Sequence, residues 1–386
     1  MKIAAPWHSN GPHTNTGYGT QTKQVVSRMI ADGHRIMVAA NYGAEASITE
    51  FDGIPVYPRG YDPWNNDVVG PYFEDWKNQH PDYRHMQFTL FDVWVYNAQR
   101  FDEIPTVSWV PIDHFPVPPA VAEFLRKPTV TPIAMSKFGR DMLKAAKIDC
   151  HYIPHAIERV FKPTGRVKVG DSMMSGREIM GIDEDRWVVG CVNANKGVLP
   201  SRKAWPENIL AFSLFAKNHP DAVLYLHTER DGAMGGLKLP EIIKSVGIPD
   251  DQVKFVNQYA FRMGIPQEML AAIYTSIDTG LLVAMGEGFG LTSLELQACG
   301  TRVIVNNFSA QPELLGDGWL AEGQPFWDPG SKAWFNLPMV GSIVEQLENA
   351  YAAGRGRSKK AQDFVRKNYD ADTVYDQMWR PLLDRL

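Results

Sequence analysis

Short apolar segments alternate with longer amphipathic segments along almost the whole chain, and this alternation limits the folds it can adopt. Near-continuous apolar strands such as Trp187–Val192 and Ala222–His227 are typical of parallel sheets that are covered on both faces. Pro and Gly interrupt the pattern at residues 161–172, which predicts a linker. The sequence therefore predicts an α/β protein with two doubly wound, Rossmann-like domains that face each other across a cleft.

The predicted domains are an N-terminal one over residues 1–163 and a second one over residues 173–368, which suits a chain of 386 residues. Residues 50–83 are rich in Pro, Trp, Asn and Asp, and we expect them to form irregular loops over one face. In doubly wound sheets, ligands bind outside the carboxyl ends of the strands. The loops that follow strands are therefore the expected location of any chemistry.

Composition argues against several classes of protein. A net charge of −5 provides no global basic field and argues against nucleic acid as the main ligand. The three cysteines are widely spaced in apolar runs, which predicts free thiols in a reducing compartment. We expect no signal peptide from MKIAAPWHSN and no membrane span, so the expected location is the cytoplasm.

The segment GEGFGLTSLELQACGTRVIV (286–305) carries two glutamates in different local contexts. Glu287 lies in a glycine-rich loop after a strand, and Glu295 lies in the helix that the loop precedes. The N–H groups at the helix start suit an anion such as phosphate. A carboxylate at Glu295 suits a diol such as ribose, and Glu287 suits the hydroxyls of a second sugar. The spacing predicts a site for a sugar nucleotide.

This segment resembles the E-x7-E signature of family 4 glycosyltransferases, which are retaining enzymes of the GT-B fold. IAMSKFGRDML (133–143), YIPHAIERVFKP (152–163) and residues 180–228 are similar to further parts of that family. The resemblance implies transfer of a hexose from a UDP- or GDP-linked donor to an acceptor hydroxyl, by front-face attack with retention and without a metal or cofactor. It also implies that a C-terminal helix, 371–386, packs back on the N-terminal domain.

The resemblance extends to individual positions. By position, Arg202 and Lys203 match the family's basic pair, which neutralises the donor diphosphate, so both are predicted to be catalytic. Glu287, which is expected to bind the donor sugar, is also predicted to be catalytic. Asp113 and His114 end another strand and are predicted to act in catalysis, on either the acceptor or the donor sugar. The other predicted donor-binding residues are Glu295, Gly288, Phe289, Gly290, Leu291, Thr292, Asn195, Tyr259 and Gly17. The predicted acceptor-binding residues are Gly19, Tyr18 and His155.

Other functions remain open at this stage. A nucleotide-sugar epimerase would need acid/base carboxylates from both domains, and a phosphorylase would need a longer chain. A non-catalytic nucleotide- or DNA-binding protein would need no catalytic residues. The acidic turn at residues 183–185 is expected to be an exposed surface turn, so no metal site is predicted. The acceptor class is open between a small molecule, a protein and a modified nucleic acid base. The tryptophans proposed to stack on sugars or bases are Trp64, Trp76, Trp94 and Trp109.

Overall fold

Two separate parallel sheets organise the computed structural model, which describes residues 1–386. The first unit comprises residues 1–156, 331–333 and 371–386, and the second unit comprises residues 157–330 and 334–370. Each sheet belongs to one unit, and each unit is described by itself below. No helix combines the length and apolar character needed to cross a bilayer.

Strands and helices alternate through the first unit. Its elements up to residue 156 are β1 (Ile3–Asn10), α1 (Gly17–Ala31), β2 (Arg35–Tyr42), β3 (Thr49–Phe51), β4 (Ile54–Tyr57), α2 (Val69–Gln79), β5 (Arg84–His85), β6 (Gln87–Leu90), β7 (Thr106–Val110), α3 (Pro119–Leu125), β8 (Val130–Ala134), α4 (Lys137–Ala145) and β9 (His151–Tyr152). The strand order is β3-β4-β2-β1-β6-β7-β8-β9, with β5 also paired to β1. Every pair is parallel except β3–β4. The strand order reverses direction between β1 and β6, which makes their carboxyl ends a topological switch point.

The second unit repeats this architecture around a smaller sheet. Its elements are β10 (Arg166–Val169), β11 (Ser172–Ser175), α5 (Gly176–Met180), β12 (Trp187–Val192), α6 (Trp205–Ala216), β13 (Ala222–His227), α7 (Leu239–Ser245), β14 (Val253–Phe255), α8 (Gln258–Met263), α9 (Gln267–Ser276), β15 (Thr279–Leu281), α10 (Leu291–Ala298), β16 (Arg302–Asn306), β17 (Gly318–Ala321), β18 (Gly323–Asp328), β19 (Ala333–Pro338), α11 (Val340–Ala352) and α12 (Lys359–Tyr369). The parallel order β14-β13-β12-β15-β16-β17 is the Rossmann order, and it reverses between β12 and β15.

The chain ends in a helical segment that groups with the first unit. It consists of α13 (Ala371–Val374), a π-helical turn (Tyr375–Trp379) and α14 (Arg380–Arg385). Trp379 is 1% exposed, and its ring lies 5.9 Å from that of Trp7 and 5.0 Å from that of Trp109. Arg28 on α1 adds a salt bridge of 2.6 Å to Asp372. Aromatic packing and one ion pair therefore hold the segment against α1 and the sheet.

The predicted α/β class is confirmed, and two local predictions differ from the structure. Residues 50–83 are not irregular throughout, because they contain β4 and α2. Helix α2 buries Val69, Phe73 and Trp76, which lie at helical spacing among the Pro and Asn residues that suggested loops. The expected linker at 161–172 contains β10, which pairs with β11 in a hairpin, and the units divide after Ala156.

A buried ion pair stabilises the start of β15 in the second unit. The Arg177 guanidinium lies 2.8 Å from the Asp278 carboxylate, with side-chain exposures of 7% and 2%. The same carboxylate accepts a hydrogen bond of 2.8 Å from the Val188 N–H of β12. Asp278 therefore ties α5 and the two central strands together.

We expect Asp278→Asn to lower the free energy of unfolding by about 3–5 kcal/mol, because it leaves the Arg177 charge buried without its partner. Urea unfolding followed by circular dichroism measures the change. Asp363→Asn is the matched control, since its salt bridge to Lys359 lies on the surface and contributes little. Equal effects of the two substitutions would contradict the assignment.

Candidate active site

The carboxyl ends of β12 and β15 meet at the switch point of the second sheet. The two strands are adjacent and parallel, with Gly190 paired to Gly280. The loops that follow them, residues 193–204 and 282–290, therefore leave the sheet at the same edge. These loops carry the predicted basic pair and Glu287.

Glu287 forms ion pairs with both predicted phosphate-binding cations. Its Oε2 lies 3.3 Å from Arg202 Nη1, and its Oε1 contacts Lys203 Nζ. Glu287 is only 9% exposed, and Lys203 is similarly enclosed. The structure thus brings three predicted catalytic residues into one charged cluster, which we call the Arg-Lys-Glu triad.

Backbone contacts fix the loop that carries Glu287. The Met285 N–H donates to Arg202 O at 2.8 Å, and Arg202 Nη1 donates to Gly286 O. The Glu287 N–H donates to Ser309 Oγ at 2.8 Å. Gln311, which is buried, accepts from the Ala284 N–H and donates to the Ala284 carbonyl. Residues after β12 and after β16 therefore support the carboxylate from two sides.

The chain turns sharply just after the basic pair. Ala204 adopts a left-handed conformation with φ of 49° at the start of α6, and its side chain is fully buried. Such strain is retained in proteins where the surrounding structure enforces it, often at functional sites. The Asn208 side-chain amide, on the first turn of α6, donates to Lys203 O at 3.1 Å and to Val283 O at 2.8 Å. These contacts direct Arg202 and Lys203 towards the β15 loop.

Helix α10 begins directly after the Glu287 loop. Gly290 is its N-cap with φ of 125°, a region of backbone space that favours glycine. The N–H groups of Leu291 and Thr292 lie in the first turn and have no partner within the helix. The positive end of α10 therefore lies on the same loop as the Arg-Lys-Glu triad.

Glu295 lies one turn into α10 in a less polar environment than Glu287. Burial raises the pKa of Glu295 to about 7, and hydrogen bonding with the Tyr274 hydroxyl partly offsets this rise. Tyr274 on α9 is 3% exposed and stacks on Phe161 with ring centroids 6.0 Å apart. The two glutamates of the motif thus have distinct electrostatic surroundings.

Three other predicted donor-binding residues occupy different environments. Tyr259 on α8 is 75% exposed and available to a ligand. Phe289 is buried against Tyr369, so its backbone alone can contact a ligand. Asn195 is buried, and its side chain bonds to Glu229 O, Leu237 O and the Leu237 N–H. This side chain holds the loop after β13, and the contact of Asn195 with the donor stays a prediction.

In the first unit, Asp113 and His114 follow β7 as expected. His114 Nδ1 lies 2.7 Å from Asp113 Oδ1, so the carboxylate orients the ring. Tyr18, at the start of α1, donates to Asp92 Oδ2 at 3.3 Å across the switch point between β1 and β6. These four residues come from the start of α1 and from the loops after β6 and β7.

Gly19 and His155, which were predicted to bind the acceptor, are both buried. A Cβ at Gly19 would come within 2.2 Å of Thr14 Oγ1, so this glycine packs α1 against the loop that precedes it. His155 is 2% exposed and contacts Trp109 edge-on at 4.3 Å, and burial lowers its pKa to about 3. Gly17 is exposed at the first position of α1, after the Thr16 cap.

The acidic turn at residues 183–185 lies before β12, at the opposite end of the strand from the triad. Its side chains are exposed, and Arg355 donates to the carbonyls of Glu184 and Asp185. Across the chain, no group of three or more His, Cys, Asp or Glu side chains is arranged to hold a metal ion.

The chain matches one known protein over part of its sequence and several solved structures over its whole fold. No family model matches it. A stretch of 110 residues is 28% identical to the O-antigen chain mannosyltransferase B of Escherichia coli, and it spans 28% of this chain and 27% of that protein. Sucrose-phosphate synthase of Thermosynechococcus elongatus superimposes with a TM-score of 0.74 at 15% identity over 100% of both chains. Anabaena Alr3699/HepE in complex with UDP-glucose superimposes with a TM-score of 0.66 at 16% identity, also over 100% of both chains. The chain therefore has the GT-B fold.

Several residues that shape this site were not predicted from the sequence. Asn208 offered a signal, because it is a polar residue on the buried face of an otherwise apolar helix. Ser309 and Tyr274 offered none, since their contacts come from loop geometry and from packing between helices. Asp92 follows a strand, which is the position where polar residues of this fold class gather.

The raised pKa of Glu295 predicts a specific dependence of stability on pH. Between the ordinary value of 4.5 and about 7, the folded state holds a proton that the unfolded state has lost. The contribution of this group to the free energy of unfolding is therefore lost as the pH rises through that window. We expect wild type to lose on the order of 1–3 kcal/mol relative to Glu295→Gln from pH 4.5 to 7. Urea unfolding across this range measures the difference, and parallel profiles would refute it.

Proposed function

We propose that the chain is a glycosyltransferase that moves a hexose from a nucleotide-diphosphate sugar to an acceptor hydroxyl. The observation that carries this proposal is the Arg-Lys-Glu triad at the switch point of the second sheet, next to the start of α10. Ligands of doubly wound folds bind at such switch points. The sequence match to a mannosyltransferase and the likeness to structures of glycosyltransferases support the same activity.

The charges of this site suit a diphosphate. Arg202 and Lys203 contribute two positive charges and Glu287 one negative charge, so the triad is cationic overall. The helix start at Leu291 and Thr292 adds N–H donors and the positive end of the helix dipole. A departing diphosphate gains negative charge in the transition state, and cations already in place stabilise it. The proposed diphosphate position is therefore between the basic pair and α10.

Two carboxylates are assigned to the two sugars of the donor. Glu287, beside the cations, accepts hydrogen bonds from hydroxyls of the transferred hexose. Glu295, further along α10, accepts them from the ribose hydroxyls once it has lost its proton. Tyr259 is exposed on α8, which follows β14, and is assigned to pack on the base. The E-x7-E spacing thus spans the donor from hexose to ribose.

The proposed transfer proceeds with retention and by front-face attack. The acceptor oxygen forms a bond to the anomeric carbon while the bond from that carbon to the diphosphate oxygen breaks. The acceptor proton passes to an oxygen of the leaving diphosphate, so the chain supplies no strong base. The positive charge that develops on the sugar resembles that of glycoside hydrolysis. Asp113 and His114 are proposed to position the acceptor hydroxyl or the hexose.

Two substitutions in the triad should have opposite effects on nucleotide binding. Lys203→Ala removes a cation from the diphosphate site and is expected to weaken binding of UDP or GDP about tenfold or more. Glu287→Gln removes the competing carboxylate, so nucleotide binding is expected to hold or tighten while transfer falls about 100-fold or more. Calorimetry with UDP and GDP measures binding, and release of nucleotide from a panel of UDP- and GDP-sugars measures turnover.

Lys359→Ala is the matched control for these measurements, because this lysine is exposed and pairs only with Asp363 on α12. It should bind nucleotide and turn over like wild type. The proposal fails if neither nucleotide binds wild type, or if the two triad substitutions change binding in the same direction.

Retention and metal independence have their own readouts. The anomeric proton coupling of the first product formed is expected to match that of the donor, as measured by NMR. Activity is expected to persist in excess EDTA, since Arg202, Lys203 and α10 provide the positive charge that a metal would otherwise supply. An inverted product or loss of activity with EDTA would contradict the proposed mechanism.

A further inference from the structure

The first unit contains a shallow, partly open pocket at the carboxyl ends of β6 and β7, whose enclosed part has a volume of only about 30 Å³. Its polar lining comes from Asp92, Asp113, His114 and Ser331, and Trp94 lines it as well. The remaining lining residues are apolar. We call this cavity the Trp94 pocket. Its lining residues belong to the first unit, whereas the Arg-Lys-Glu triad belongs to the second unit.

The lining combines the two features that a sugar ring requires. Trp94 is 62% exposed, so its indole can contact the C–H face of a ring. The Asp92 and Asp113 carboxylates are acceptors for hydroxyl donors, and the His114 ring adds a third polar group. Pockets with apolar walls and a few convergent polar groups are typical of small-molecule sites. The pocket therefore suits a polyhydroxylated ring.

The charge of the pocket narrows the ligand class further. Two aspartates line it, and no lysine or arginine does. The two carboxylates would repel a phosphate bound in the pocket, because like charges a few ångströms apart interact strongly in a partly buried site. Sugar phosphates, phospholipid headgroups and nucleic acid backbones are therefore disfavoured, while a neutral saccharide meets acceptors for its hydroxyls.

Contacts within the first unit hold the polar groups in place. The Tyr18 hydroxyl donates to Asp92 Oδ2 at 3.3 Å, and its ring packs 5.7 Å from that of Phe91. Asp113 Oδ1 lies 2.7 Å from His114 Nδ1. Because each carboxylate is oriented by a neighbouring side chain, the pocket is prepared for a ligand of defined shape.

We propose that the Trp94 pocket binds a neutral saccharide unit of the acceptor, with the ring on Trp94 and hydroxyls on Asp92 and Asp113. The saccharide's role as acceptor rests on the proposed glycosyltransferase function, whereas its binding to this pocket does not. The acceptor class is thereby a carbohydrate or glycoconjugate with an uncharged terminal sugar.

Binding is tested first without any donor. Saturation-transfer NMR is recorded with the methyl glycosides of glucose, galactose and mannose, and separately with glucose 6-phosphate and a single-stranded oligodeoxynucleotide. Wild type is expected to give a signal with at least one methyl glycoside. Trp94→Ala and Asp92→Asn are expected to reduce it at least fivefold, while Trp94→Phe retains part of it through its aromatic face. Tyr61→Ala, which removes a fully exposed aromatic residue outside the pocket, should leave it unchanged.

Turnover then connects this binding to transfer. With a sugar nucleotide that wild type hydrolyses, the glycoside that binds is expected to accelerate nucleotide release. Trp94→Ala is expected to raise the KM for that glycoside about tenfold or more, whereas Tyr61→Ala should leave this KM unchanged.

Three results would overturn the proposal. They are the absence of a saturation-transfer signal with every methyl glycoside, a stronger signal with glucose 6-phosphate or the oligonucleotide, and binding by Trp94→Ala that equals that of wild type. Each is read in the donor-free experiment, so it is distinct from failure of the proposed function. That failure would instead appear as a lack of nucleotide binding and hydrolysis, with glycoside binding intact.

Discussion

Parallel pairing of β12 with β15 is the constraint on which the site depends. Glu287 lies 84 residues after Lys203 in the chain, and the two meet because their strands end at the same edge of the sheet. The Rossmann order reverses direction at this point, so the helices that follow β12 and β15 do not cover the same crevice. Asp278 strengthens this arrangement from the opposite end of the strands, where its carboxylate joins Arg177 and the Val188 N–H.

The two glutamates of the E-x7-E segment show how one stretch of chain provides two electrostatic environments. Glu287 faces a guanidinium and an ammonium group, whereas Glu295 lies between helices, where burial raises its pKa to about 7. Their backbone surroundings differ as well. The N–H of Glu287 lies in a loop and donates to Ser309 Oγ, whereas Glu295 is part of helix α10. A sugar nucleotide presents different groups along its length, and the proposed function uses this difference.

The sequence predicted the parts of the structure that follow from periodicity and missed those that follow from packing. Both sheets were predicted from largely apolar strands that alternate with amphipathic segments, as in Trp187–Val192. Helix α2 was missed because Pro and Asn obscured three buried residues at helical spacing. Arg202, Lys203 and Glu287 were each predicted as site residues, the basic pair from the family resemblance, but the ion pairs between them were not predicted. The sequence did not show that Asn195 and His155, both predicted to contact ligands, are buried, because sequence position alone does not show which way a side chain points.

The ion pairs of Glu287 also bear on the end of each catalytic cycle. Under the proposed function, the spent nucleotide diphosphate holds two cations for which an adjacent, buried carboxylate is an alternative partner. Once the hexose has left for the acceptor, that carboxylate no longer has sugar hydroxyls to bind and returns to Lys203. Re-formation of this internal contact favours departure of the product, so the enzyme is reset by its own side chain.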